Sequence, residues 1–166
     1  MPRPQHLLAL LLVGSACLAY NGEQQLPGRV LRVIDGDSLI LEMRGSQYLI
    51  ELAGIDAPEP SQPWGGAATD RLYTTLTGAF VVVHTSDDDF TGPIHGSVIY
   101  KGRDVALDML YDGLAWSTVP TDTSAGAPGN PYTDAEAAAR AARRGLWSDD
   151  NPVPPWAWRA GIQPNR

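Results

Sequence analysis

Aliphatic residues come in short runs along the first half of the chain, and turn residues separate them. Val30, Val33 and Ile34 are followed by Asp35-Gly36-Asp37-Ser38, then by Leu39-Ile40-Leu41, by Arg44-Gly45-Ser46, and by Tyr48-Leu49-Ile50. Asp-Gly and Arg-Gly-Ser between such runs signal hairpins, so Gly28 to Ile55 reads as a three-stranded meander. Pro58, Pro60 and Pro63 break any regular element. The spacing then changes. Ala68, Leu72 and Leu76 make an i, i+4, i+8 stripe, which predicts a helix over 66–77 stopped by Gly78. Ala79 to His84 is a continuous apolar run that suits a buried strand, Asp87-Asp88-Asp89 an acidic turn, and Val98-Ile99-Tyr100 a further strand turned back at Lys101-Gly102-Arg103. A short helix is expected over 104–112, ended by Gly113, then a Thr-, Pro-, Gly- and Ser-rich loop over 119–133. A longer helix from Thr133 to Arg144 would show a narrow face of Ala135, Ala138, Ala139 and Ala142, with Gly145 as its cap. Strands first, then strands and helices in short pieces, give an α+β class: a five-stranded β-barrel with about three helices.

Composition narrows the function classes. The chain has 166 residues, enough for one domain, and 43% apolar residues are enough to fill a core. Twelve basic residues against 19 acidic ones give a net charge of −7, which disfavours holding nucleic acid by charge alone. A single cysteine, Cys17, excludes a disulfide framework and a cysteine-based zinc site. Arg3 precedes an uncharged apolar run from Leu7 to Ala19 that is too short to span a bilayer. Residues 1–19 therefore read as a signal peptide, cleaved after Ala19, which directs the chain to the cell envelope or outside it. Cys17 behind Gly-Ser-Ala offers lipoprotein processing and a lipid anchor as the alternative. The rest divides into a polar leader (20–27), one domain (28–150) and a Pro- and Trp-rich tail (151–166) carrying Trp156 and Trp158.

The candidate chemistry lies in Ile34-Asp35-Gly36-Asp37-Ser38 and in Leu52-Ala53-Gly54-Ile55-Asp56-Ala57-Pro58-Glu59. Asp37, Asp56 and Glu59 sit at strand ends beside turns, and Asp56 and Glu59 can face one point across the proline turn. Converging carboxylates call for a cation between them, and hard oxygen donors suit Ca²⁺, or Mg²⁺, rather than zinc. Turn formation and hairpin capping are the structural alternative for the same aspartates. His84 and His95 read as strand residues, and the Arg140, Arg143 and Arg144 cluster as an exposed helix face.

These stretches, followed by GAATDRL, VALDMLYDGLAW, AEAAARAARRGLW and PPWAWR, resemble the thermonuclease (staphylococcal-nuclease-like) family from Gly28 to Arg159. The resemblance implies an OB-fold barrel with three helices and Ca²⁺-dependent hydrolysis of phosphodiester bonds in DNA and RNA. It implies Asp37, Asp56 and the Ala57 carbonyl as metal ligands. It implies Glu59 as the residue that positions or deprotonates the attacking water.

The family's arginine five residues before the second Asp is replaced by Glu51 here. Counting back six from Tyr100, its second arginine falls on Ile94. The adjacent His95 is expected to point to the opposite strand face. The family's Lys-Tyr pair corresponds to Thr91-Gly92, and its later aromatic pair falls near Val119 and Thr121. Cations aimed at the equatorial oxygens carry most phosphoryl-transfer catalysis, and loss of one such arginine costs about 10³–10⁵ in rate. The expectation is thus a secreted thermonuclease-like domain with lost or strongly impaired turnover that keeps a divalent-cation site. An active Ca²⁺-dependent nuclease using Arg44, Arg71 or Arg103, and a non-catalytic binding module of the envelope, are the rivals. The inactive expectation requires that no guanidinium lie over the acidic floor.

Overall fold

The expected meander forms. Strands β1 (Gln24–Val33), β2 (Ser38–Met43) and β3 (Ser46–Leu52) pair antiparallel in sequence order. The structure, a computed structural model, describes residues 23–121 and 129–162. Cys17, the apolar segment around it and the centre of the 119–133 loop lie outside the described residues. β1 begins at Gln24, inside the stretch expected to be a polar leader, because Gln24 to Arg29 pair with Thr85 to Phe80 of β5 (Phe80–Thr85). Backbone pairing of this kind leaves no apolar signature. β6 (Ile94–Tyr100) pairs with β5 and also meets β3 in parallel, with Ile50 beside Ile94 and Glu51 beside His95. That seam closes a five-stranded barrel. Leu39, Leu41, Ile50, Val83, Ile94 and Val98 fill it and are fully buried.

A two-residue strand β4 (Ile55–Asp56) is held outside the barrel, and a short β7 (Arg103–Asp104) turns back to pair antiparallel with β6. Helix α1 (Gly65–Leu76) packs with Ala68, Leu72 and Leu76 fully buried, the stripe read from the sequence. Helix α2 (Val105–Tyr111) starts at Asp104, whose side chain accepts from the Ala106 amide. β8 (Trp116–Ser117) then pairs with β4.

Helix α3 (Pro131–Ala141) starts at Pro131 rather than Thr133, since Asn130 caps the Tyr132 amide and proline suits the first helical position. Of its alanine stripe only Ala139 is buried. A 3₁₀ turn (Gly145–Ser148) follows, and then a fourth helix α4 (Pro155–Arg159), too short to show in any periodicity. Pro155 is buried, and Trp156 packs edge-on against Trp116 at 6.4 Å between ring centres. Trp116 in turn meets Trp147 at 5.4 Å. Among the described residues no helix is long and apolar enough to cross a membrane.

Candidate active site

The loop between β1 and β2 turns on Asp35. Its Oδ1 accepts from the amides of Asp37 and Ser38, at 3.2 and 2.8 Å, and from the Ser38 hydroxyl. Gly36 lets this loop lie flush against its neighbours, because a Cβ there would fall 2.7 Å from the Cβ atoms of both Ala57 and Ala68. The Asp37 carbonyl accepts from Leu52 N at 2.8 Å, and its side-chain Oδ2 accepts from Ala57 N at 2.6 Å. Asp37 is thereby fixed to β3 and to the residue after Asp56.

Asp56 is placed by the β4–β8 ladder, opposite Trp116. Glu59 sits in the proline turn. Its amide donates to Gln62 Oε1 at 3.1 Å and its carbonyl accepts from Gln62 N at 2.8 Å. Gly65 is obligatory beneath it, since a Cβ there would lie 1.9 Å from the Glu59 carbonyl oxygen. Asp35, Asp37, Asp56, Glu59, Glu51 and His95 all line one cleft of about 480 Å³.

A guanidinium lies over this floor, against the sequence-based expectation. Arg159, the last residue of α4, donates from Nη2 to Asp56 Oδ2 at 2.8 Å. From Nη1 it donates to Asp56 Oδ1 at 3.2 Å and to Glu59 Oε1 at 2.7 Å. None of the three arginines considered from the sequence takes this place. Arg71 pairs with Asp112 and Arg103 with Asp108. Arg44 turns the β2–β3 hairpin, at the far end of β2 from Asp37. No spacing rule links position 159 to position 56, so Arg159 has no local sequence signal beyond its place in the PPWAWR segment.

The other wall also differs from the count along the chain. Ile94 is fully buried in the barrel, so its side chain is absent from the cleft. His95 takes the cleft-facing position, because strand alternation puts Ile94 beside Ile50 in the core. His95 Nε2 lies 3.0 Å from Glu51 Oε2, and its backbone amide donates to Asp87 Oδ2 at 2.8 Å. The wall thus presents an acid and an imidazole.

Charge is unevenly balanced. Burial, with Asp35 and Asp56 adding repulsion, pushes the Asp37 carboxyl up to about 8 despite its bond from Ala57 N. Asp56 first, then Glu59, hold Arg159 still more firmly in its charged form than usual. Among the described residues, no three acid, histidine or cysteine side chains converge on one point as metal ligands do. Asp56 and Glu59 are turned onto Arg159 instead. The donor set itself, carboxylates of Asp37, Asp56 and Glu59 with the Ala57 carbonyl, is all oxygen and fits a hard cation.

The model of the family described as "Staphylococcal nuclease homologue" matches residues 49–149. The chain is 39% identical over 133 residues to an "Uncharacterized endonuclease" of Escherichia coli, covering 80% of this chain and 84% of that one. It is 32% identical over 145 residues to a "Micrococcal nuclease" of Shigella flexneri, covering 80% and 79%. "Protein ParB" of Escherichia coli is 32% identical over 169 residues, covering 96% and 90%.

Proposed function

This chain belongs to the staphylococcal nuclease homologue family, and from that premise we propose that its acidic cleft hydrolyses phosphodiester bonds in nucleic acid, with Arg159 as the cleft's guanidinium. The single observation that carries this reading is the Arg159 contact with Asp56 and Glu59. A planar, permanently charged fork is the side chain best suited to the oxygens of a phosphoryl group. The endonuclease and nuclease names of relatives at 39% and 32% identity support the same reaction class.

Asp37, Asp56 and the Ala57 carbonyl, with Glu59 beside them, would hold a hard divalent cation such as Ca²⁺, which supplies Lewis-acid polarisation of a phosphoryl oxygen when bound. Glu59 takes a proton from the attacking water at a carboxylate oxygen. Arg159 faces the equatorial oxygens as negative charge builds on them. The bond from phosphorus to the leaving oxygen breaks as the water oxygen bonds to phosphorus, and the leaving oxygen takes up a proton from solvent. The net acidity of the chain means that these local contacts, rather than long-range attraction, must retain the substrate.

Strongly impaired turnover is the second reading, and Glu51 is the observation that favours it. It places a further carboxylate on the wall of the cleft, where it opposes phosphate. Digestion of plasmid DNA and of RNA in excess Ca²⁺ separates the two. The first reading expects turnover that falls in Arg159→Ala and disappears in Glu59→Gln. Intact nucleic acid with the unaltered protein supports the second.

We also propose export, on the basic start, short apolar centre and small residues of positions 1–19. Mass measurement of the mature N-terminus tests it. A start at Tyr20 supports the signal peptide, a lipid-bearing Cys17 supports the anchored alternative, and an intact Met1 rejects both.

A further inference from the structure

We propose that Arg159 is a built-in counter-ion and that it and a divalent cation exclude one another at Asp56 and Glu59. This rests on the reading of these carboxylates as a cation site. Asp56 and Glu59 offer four side-chain oxygens, and Arg159 occupies Oδ1 and Oδ2 of Asp56 and Oε1 of Glu59. A cation that needs those oxygens can take them only when the guanidinium leaves.

The geometry makes that departure easy on one side. Arg159 has 52% of its side chain exposed, against 16% for Asp56 and 29% for Glu59. Arg159 is thus the partner that faces water. The backbone beneath it is held by other contacts. Pro155 is buried, Trp156 packs on Trp116, and Val153 accepts from the Gln62 side chain. The side chain can swing while α4 stays docked. A released guanidinium then remains within one side-chain length of the cleft, next to a cation and with no carboxylate of its own. It is converted from an internal counter-ion into a group that needs an anion. The exchange couples the two ligands: a bound cation frees Arg159 to engage a phosphate. The coupling is reciprocal, so a phosphate that draws Arg159 away also strengthens cation binding.

Calorimetric titration of the full chain with Ca²⁺ tests the exclusion without any nuclease assay. Arg159→Gln is expected to bind Ca²⁺ about tenfold more tightly than the unaltered protein. Arg103→Gln removes the same charge outside the cleft and is expected to change the affinity less than about twofold. Arg159→Lys, which keeps the charge but not the fork, should fall between the two and serves if the Gln variant is unstable. In nitrogen NMR, the guanidinium signals of Arg159, assigned by their loss in Arg159→Gln, should shift or broaden as Ca²⁺ is added. Equal affinities in Arg159→Gln and the unaltered protein, or guanidinium signals unmoved at saturating Ca²⁺, overturn the exclusion alone. No binding heat from either protein overturns the cation reading beneath it as well.

Discussion

The floor of the cleft and the guanidinium above it are held in place by different means. Asp37, Asp56 and Glu59 hang from loops pinned by backbone hydrogen bonds to β3, to β8 and to the turn at Gln62. Two glycines, Gly36 and Gly65, allow those loops to press against α1 and its approach. Arg159 arrives on a five-residue helix docked through one buried proline, the edge of one half-exposed tryptophan and the Val153 carbonyl that accepts from Gln62. The negative half of the site is therefore part of the core's architecture, whereas the positive half is an attachment. Damage to the loops that carry the first should reach the fold, and loss of the second should leave the barrel standing.

The sharpest way to break that contrast is on chemistry. Glu59→Gln keeps the shape of the turn but removes the proposed base, and should lower the proposed Ca²⁺-dependent cleavage of plasmid DNA by about 10²–10⁴. Its unfolding midpoint in urea should stay close to that of the unaltered protein. Next in size is the core beneath the floor. Leu72→Ala empties a fully buried position of α1 and should cost about 2–5 kcal/mol in urea unfolding. Trp156→Ala removes the edge contact that docks the tail and should cost only about 1 kcal/mol. If Trp156→Ala destabilises the whole protein as much as Leu72→Ala does, the tail belongs to the core and the contrast fails.

A further effect concerns pH. Burial holds the Asp37 carboxyl up to about 8, above its ordinary value of 3.8. Between these values the metal-free folded protein keeps a proton that the unfolded chain has released. This contribution to stability is present at low pH and is lost as the pH rises from about 4 to about 8. Asp37→Asn should flatten that part of the curve when unfolding is followed at a series of pH values.

The same contrast explains how much was legible in the sequence. Ala68, Leu72 and Leu76 repeat with the helical period and land fully buried, and the Asp-Gly and Arg-Gly-Ser turns mark the meander where it forms. Asp37, Asp56 and Glu59 are brought to one cleft because each sits at a strand end or in the turn that follows it, close in the chain to its neighbours. Arg159 lies 103 residues from Asp56, and its approach depends on how Trp156 meets Trp116, which no local pattern encodes. His95 illustrates a smaller failure. Alternation correctly separates it from Ile94, but which of the two enters the barrel depends on the register with Ile50 across the β3–β6 seam. Asp35 reads as a turn residue and is one, yet its carboxylate also raises the charge density beside Asp37.

That seam has a further consequence. It is the one parallel joint among the barrel strands, and it unites segments separated by a helix and two further strand edges. Long-range joints of this kind are slow to form, because the intervening chain must be ordered first. Glu51 and His95 become neighbours only when the joint is made. A molecule that touches both therefore recognises the finished cylinder and no partly assembled state, and its presence at saturation works as a clasp that keeps the last stave from springing loose.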